Sequence, residues 1–586
     1  MRQFRFAAVL LASTALSAAQ VHADQILGPG RIDNSGNLTL PGGPKLGKWQ
    51  AGKYNATPDL LTLPSTDQGS TGNLSGMSVT LPSGVSRSLA SKLGERKSIA
   101  DYVLPADNGD YALAIERAAA AGVKDLILPA GPQYTLKRAF NLPNADMRIT
   151  CEGRKNTEVR LLGANDYFGI IGNTTSVSYN FYMEGCLFTK ELASSAGAVL
   201  KIQNVYKWGF SHHRIFGENK IWRVLELASA SSMISRDVDV DSVRERAVYA
   251  TAGNGLPGTL NGYNIDHVYD LWYVIGANGV SADPANDGVF YFVDNFAAIW
   301  FLGPKIASHK GYGIYLKGTL ANRGINTLNM VHNPNIEAGL VPSGSVYFGA
   351  VAASHIGGPS SWSTGKGAGL ASIRLGPDSQ GNFVRQIQLG VAGAGYGVFD
   401  EGTLNTVEDM DLIGYDAAAD TGLVIGATAR KGRYRRNKVA QFTRAILDAS
   451  PDNAGHVIEG LDYTGITGTP LTGLAGSATS NKIVNGINNL DASAPTLPAA
   501  ATLSLPDKGN TFTINTAGTI NGITPTYIGR RATLLLAQSG TTLNDLQSVA
   551  GTGAFYLSKP LTTTDGKTRV TVEWRGDYWW DVSRTP

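Results

Sequence analysis

The segment Asp237-Val-Asp-Val-Asp241 sets three carboxylates at alternate positions. In an extended strand Asp237, Asp239 and Asp241 therefore leave one face while Val238 and Val240 leave the other. Four further runs share this apolar spacing: Phe210 to Gly217, Ile265 to Trp272, Trp300 to Ala307 and Met330 to Glu337. Aligned with Ile234 to Asp241, they generate three columns. The first reads His212, Arg236, His267, Leu302, His332; the second Ile215, Asp239, Asp270, Lys305, Asn335; the third Gly217, Asp241, Trp272, Ala307, Glu337. Hydrolysis of a glycosidic bond needs two flanking carboxylates, ~5–5.5 Å apart for retention or ~6.5–9.5 Å for inversion. Asp239 and Asp270 on adjacent runs suit the shorter spacing, with Asp241 or Glu337 serving a longer one. β-Elimination beside a uronic carboxylate instead needs a base and a stabilising cation. His267 or Lys305 would be that base and Arg236 the cation. Arg236, Lys305 and His332 offer hydrogen bonds to sugar hydroxyls, and Trp272 a ring face for stacking.

Such columns require strands stacked in register. From about residue 145 to 490 the chain repeats a loose unit of two short β-runs separated by a turn. Phe181-Tyr-Met-Glu-Gly-Cys-Leu-Phe188, Gly313-Ile-Tyr-Leu-Lys-Gly318 and Gly422-Leu-Val-Ile-Gly426 are examples. Irregular repeats of roughly 20–35 residues without long helical periodicity predict a solenoid. A β-sandwich is the alternative, and it predicts cleaner hairpins at 8–12-residue spacing. Ahead of the repeats, Asp110 predicts a capped helix running through Ala112, Ile115 and Ala118 to Ala121, stopped by Gly122. The strand Asp125-Leu-Ile-Leu128 follows.

Composition fits this class. Of 586 residues 17% are charged and 70 are glycine, against typical shares of ~25% and ~7%. The net charge is +3, which is no polybasic signature, so nucleic acid is not an expected partner. Arg2 and Arg5, the apolar run from Phe6 to Ala19, and Val21-His22-Ala23 read as an export signal covering 1–23. Secretion or release to the periplasm is expected, with no membrane span. Residues 24–92, rich in Gly, Pro, Ser and Thr, read as an extended leader or small head region, 93–490 as the solenoid with its cap helix. After the linker-like Asp491-Ala-Ser-Ala-Pro-Thr-Leu-Pro498, residues 491–586 read as a small β-sandwich-like domain. The two cysteines, Cys151 and Cys186, read as neighbouring buried thiols, although export permits a disulfide. No metal site is expected, because Cys-x-x-Cys and His-x-x-x-His are absent. No cofactor is required; calcium would need several convergent oxygen ligands.

Two ends of the chain resemble a known family. The first comprises Leu89-Ala-Ser-Lys-Leu-Gly-Glu-Arg96, Ile99-Ala-Asp-Tyr102, Asp107-Asn-Gly-Asp110, Ala114-Ile115 and Leu126-Ile-Leu-Pro-Ala-Gly131 with Tyr134. The second comprises Gly529-Arg530, the strand at 532–536 and Trp579-Trp-Asp-Val-Ser-Arg584. They are similar to the pectate-lyase-like superfamily, particularly phage tailspikes and related polysaccharide depolymerases. Asp107-Asn-Gly-Asp110 departs from that family's usual Asp-Gly-x-x-Asp-Asp. The resemblance implies an all-β, single-stranded right-handed parallel β-helix with an N-terminal cap helix, a polysaccharide substrate or ligand, and a homotrimer. Glu337, in Asn333-Pro-Asn-Ile-Glu337, resembles an acid-bearing strand of many tailspikes. The expected function is an exported depolymerase, either hydrolase or lyase; the alternative is a glycan-binding or adhesive surface protein without catalysis.

Overall fold

A computed structural model describes residues 97–585, apart from short segments at 145, 253–261, 278–280, 323–325, 338–342, 359–360, 365–366, 368–369, 416–417, 475–481, 490–495, 507–509, 527 and 548–549. The backbone alone is described for six short strands between 31 and 88, and for a few strand residues around 361–364 and 485–489. The expected export signal and most of the leader lie outside these residues. Two compact units are distinguished, Met1–Asp101 with Ala120–Ile127, and Tyr102–Ala119 with Leu128–Pro586. Within the first, Lys97–Ser98 pairs in parallel with Leu126–Ile127.

The second unit is a parallel β-solenoid of about 16 turns with very little helix. The helix Tyr111–Ala120 forms where expected. The Asp110 carboxylate accepts from the Ala112 N–H at 3.1 Å, capping the first turn, and from the Lys137 N–H at 3.0 Å, tying the helix start to the first coil. Gly122, at φ 76°, allows the reversal after it.

Each coil stacks on the next in parallel register, so like positions form columns. One inward column runs Val240, Val274, Ile306, Ile336. Another runs Tyr269, Phe301, Val331, Ile356, Val384, Val407, Tyr434. All of these are buried. Each such side chain contributes about 1.5–3 kcal/mol of burial, repeated along the stack. Corners inside the core are satisfied by an amide ladder. Buried Asn382 accepts from the Ser354 N–H at 3.0 Å, and Asn405 accepts from the Asn382 N–H at 2.9 Å.

One corner recurs coil after coil as a single left-handed residue: Gly185, His212, Asp237, Leu271, Gly303, Asn333, Gly358, Gln386, Asp409 and Arg436. Amide hydrogen bonds such as His212 to Arg236 O and Asn333 to Gly357 O stack these corners. A positive φ swings the chain from one sheet to the next and points the residue's own side chain outward.

Cys151 and Cys186 are joined by a disulfide, with Cα atoms 5.0 Å apart. This corrects the expectation of free thiols. Thr150 lies directly opposite Glu184 on adjacent coils, and that register brings the two cysteines within bridging distance.

The C-terminal segment has its own core around Phe512, Leu534, Val570 and Trp579. Thr511–Ile514 runs parallel to Arg531–Leu536, which pairs antiparallel with Thr568–Trp574, itself antiparallel to Trp579–Thr585.

Candidate functional site: an outward face and its corner

The register fixes which side chains meet. Arg236 lies opposite Asp270, Asp239 opposite Tyr273, and Asp241 opposite Ile275. The run placed at Ile265 to Trp272 therefore begins three residues later, at Val268, and Phe210 to Gly217 begins one residue earlier. Trp300 to Ala307 and Met330 to Glu337 align as expected.

Two expected site residues do not reach the surface. His267 stacks on Met233 and Trp272 on Val238, all pointing inward. His267 is fully buried, with Nε2 3.0 Å from Ala230 O, and burial pushes its pKa down to about 4. Trp272 donates its indole N–H to Ser235 Oγ at 3.0 Å inside the core. Neither touches an external ligand. Asp241 and Glu337 share a column, but three coil steps separate them, roughly 14 Å at ~4.8 Å per step. That exceeds the span of a carboxylate pair. Lys305 and His332 are exposed, as is Arg236.

The structure concentrates charge instead around the left-handed corners at His212 and Asp237 and on the coils to either side of them. Arg154 donates to Asp237 Oδ1 at 2.8 Å and lies 3.7 Å from Asp239 Oδ2. His212 Nδ1 is 3.3 Å from Asp237 Oδ2. One coil on, Arg236 Nε is 3.1 Å from Asp270 Oδ2. On the other side, Arg148 and Thr150 donate to Glu184 at 3.2 and 3.3 Å. A cleft of about 410 Å³ is lined by Thr150, Cys151, Gly153, Arg154, Glu184, Gly185, His212 and Asp237. Partial burial raises the Asp237 carboxyl, but the hydrogen bonds and charges of Arg154 and His212 outweigh it and hold the group below its ordinary value. Asp237 is thus an ionised carboxylate at neutral pH. Asp239 and Asp270 do lie on adjacent coils, but the corner falls between them. Asp237 and Asp270 are closer in register, with one residue of offset and roughly 6 Å between backbones.

Beside this corner runs an outward column: Tyr182, Gly209, Ile234, Val268, Trp300, Met330, His355, Phe383. Trp300 is 41% and Phe383 49% exposed. The Trp300 ring is held by its N–H donating to Leu328 O at 3.0 Å. The exposed indole on this face is thus Trp300, not Trp272. Arg154, Glu184 and His355 were not among the expected site residues, while Asp237 and His212 stood on the aligned face without an assigned role. Their signal was the register itself, which brings Asp237 and His212 to one corner.

Among the described residues no group of three His, Cys, Asp or Glu side chains is arranged to hold a metal ion. Nor is any described helix long and apolar enough to cross a membrane. Of the basic residues clustered between 430 and 438, Arg436 pairs with Asp409 at 2.7 Å and Arg435 with Glu459 at 3.5 Å.

No family model matches the chain, and no curated protein matches it. Among solved structures it is similar to a mutant tailspike protein of E. coli bacteriophage HK620, at 12% identity and a TM-score of 0.42, covering 70% of this chain and 84% of that one. It is also similar to the DFA-IIIase of Arthrobacter chlorophenolicus A6 in complex with GF2, at 12% identity and a TM-score of 0.36, covering 59% and 94%. An N-terminal fragment of bacteriophage Phi29 gene product 12 gives 12% identity and a TM-score of 0.41, covering 74% and 79%. Likeness at this level assigns neither a reaction nor a residue role to this chain.

Proposed function

We propose that the protein binds an extended polysaccharide along the Tyr182–Phe383 column and hydrolyses it at the corner carrying Asp237, Asp239 and Asp270. The observation that carries this reading is the meeting of these carboxylates with Arg154, His212 and Arg236 at one stretch of the stack, beside exposed aromatic rings. Ring faces of Trp300 and Phe383 suit the apolar faces of sugars, and the charged corner suits their hydroxyls. Asp237, ionised, acts as base or nucleophile. Asp270, on the adjacent coil, is the candidate second carboxylate, with Asp239 the alternative. The adjacent-coil placement suits the ~5–9.5 Å range within which both hydrolytic stereochemistries fall. A second reading is β-elimination, favoured by Arg154, a cation that bridges two carboxylates and is placed to stabilise developing negative charge.

Incubating the full chain with acidic and neutral exopolysaccharides tests this. New reducing ends without ultraviolet-absorbing products establish hydrolysis; unsaturated uronic ends establish elimination. Binding without fragments leaves a glycan-binding protein and removes the catalytic reading. Trp300→Ala should weaken binding about tenfold, or about 1.4 kcal/mol; unchanged binding would move the sugar off this face.

A further inference from the structure

Four coils above the acidic corner, the same face carries a different kind of chemistry. His332 lies opposite Gly357, and Gly357 opposite Arg385, so His332 and Arg385 stand two coil steps apart in one column. Gly357 leaves the intervening position without a side chain. The His355 imidazole, from the neighbouring column, leans into that space; a Cβ on Gly357 would meet its Nε2 at 2.7 Å. There the ring accepts a hydrogen bond from Arg385 Nε at 3.0 Å. His355 is held in its neutral form by burial, reinforced by the charges of Arg385 and His332, all of which lower its pKa. Its ring thus steers the guanidinium without neutralising it. Glu408 is the next residue in the column, but it pairs with Arg436 at 3.5 Å. Among the described residues no carboxylate lies within ion-pair distance of Arg385. Both terminal nitrogens of its fork remain available to a planar bidentate acceptor. Trp300 and Phe383 flank the stack in the adjoining column.

We propose that the His332–His355–Arg385 stack is the subsite for the carboxylate of an acidic sugar, so that the polysaccharide bound along this face contains uronic residues. This deepens the polysaccharide reading and rests on it for the polymer, but not for the subsite. A guanidinium held at one edge and open at the other matches a carboxylate, and adjacent exposed rings match the sugar that bears it. His332, two coil steps from Arg385, closes the anion's other side.

The test uses the full chain with labelled histidines and methyl glucuronoside, a methyl glycoside with a free carboxylate, as probe. The ring signals of His332 and His355 should shift on adding it and stay in place with methyl glucoside. Arg385→Gln should abolish the response while leaving the melting temperature within a few degrees. In the polymer arm, a uronate-containing polysaccharide should bind at least tenfold more tightly than its carboxyl-reduced form, and Arg385→Gln should erase the difference. No shift with methyl glucuronoside, or an equal shift with inorganic sulfate at the same concentration, overturns the assignment. Equal binding of the native and carboxyl-reduced polymers overturns it too, while leaving polysaccharide binding intact. Shifts with the monosaccharide and no binding of any polymer sustain the subsite and sink the polysaccharide reading.

Discussion

Gly357 is small because His355 occupies its space: the distance of 2.7 Å from a built Cβ to the imidazole Nε2 admits no side chain there. The nearest neighbour is the far end of a flexible side chain, with the Arg385 carbonyl oxygen next at 3.0 Å, so Gly357→Ala should turn the ring away at the cost of a small shift between the two coils. The Arg385 guanidinium then loses its tether. Preference for carboxylated over carboxyl-reduced polymer should fall about fivefold, equivalent to about 1 kcal/mol. Paired titrations of the wild type and variant measure it.

Asp237→Asn should abolish cleavage, lowering turnover by about 10²–10⁴-fold as expected for loss of an acid–base group. Asp241→Asn should leave turnover near normal, because Asp241 hydrogen-bonds locally with Ser242 at 2.6 Å and faces Ile275. Glu337→Gln, three coils away from Asp241, should do likewise. Initial rates on a digested polymer separate the three. Full activity in Asp237→Asn would remove this corner from the chemistry.

The Cys151–Cys186 bridge closes a loop with a sequence separation of 35. In the chain-entropy account it contributes about 4 kcal/mol. The double Cys→Ser variant, or reduction of the native protein, should lower the denaturation midpoint accordingly. Because Cys151 and Gly153 line the cleft together with Arg154, the same variant should also weaken turnover at temperatures where the fold persists. An unchanged midpoint would mean the coils hold that corner without the bridge.

Four histidines are fully buried, and three of them, His213, His267 and His309, give stability the plainest direction in pH. Burial lowers His267 and His309 to about 4 and His213 to about 3, from an ordinary 6.5. The folded state therefore resists their protonation, while the unfolded chain accepts it. Stability is complete above the unfolded value and declines as pH falls below it, by about 1.4 kcal/mol per pH unit for each histidine until the folded values are reached. Urea titrations between about pH 7.5 and pH 5 should show this, and His267→Phe should make the slope shallower by one histidine's share. A flat profile would contradict the burial argument.

Fold and site were unequally legible from sequence. The cap helix was readable because Asp110 and Gly122 carry local signals, and the coils because apolar runs recur with glycine between them. Register was readable only where a glycine or short polar residue marks the bend. Gly303 and Asn333 marked theirs, and the runs at Trp300 and Met330 were placed correctly. The intervening coil bends at Leu271, a bulky residue at φ 53° that is 62% exposed. Leucine there reads as core, so its strand slipped by three positions and carried His267 and Trp272 outward. Asp270 moved with them, away from Arg236 and towards Asp239. The disulfide was hidden for a related reason: bridging depends on stacking across coils, which spacing along the chain does not encode.

Holding a non-glycine residue in the left-handed region costs about 1–2 kcal/mol. His212, Asp237, Leu271, Asn333, Gln386, Asp409 and Arg436 all accept that cost at the recurrent corner. Backbone geometry there tolerates imidazole, carboxylate, amide, aliphatic and guanidinium groups alike, since none of them packs into the solenoid. The corner is thus a row of positions whose side chains stand outside the core and are coupled only to their neighbours along the row, as His212 is to Asp237 and Asp409 to Arg436. New ligand preferences can arise along it one substitution at a time, while the hydrophobic columns inside remain untouched.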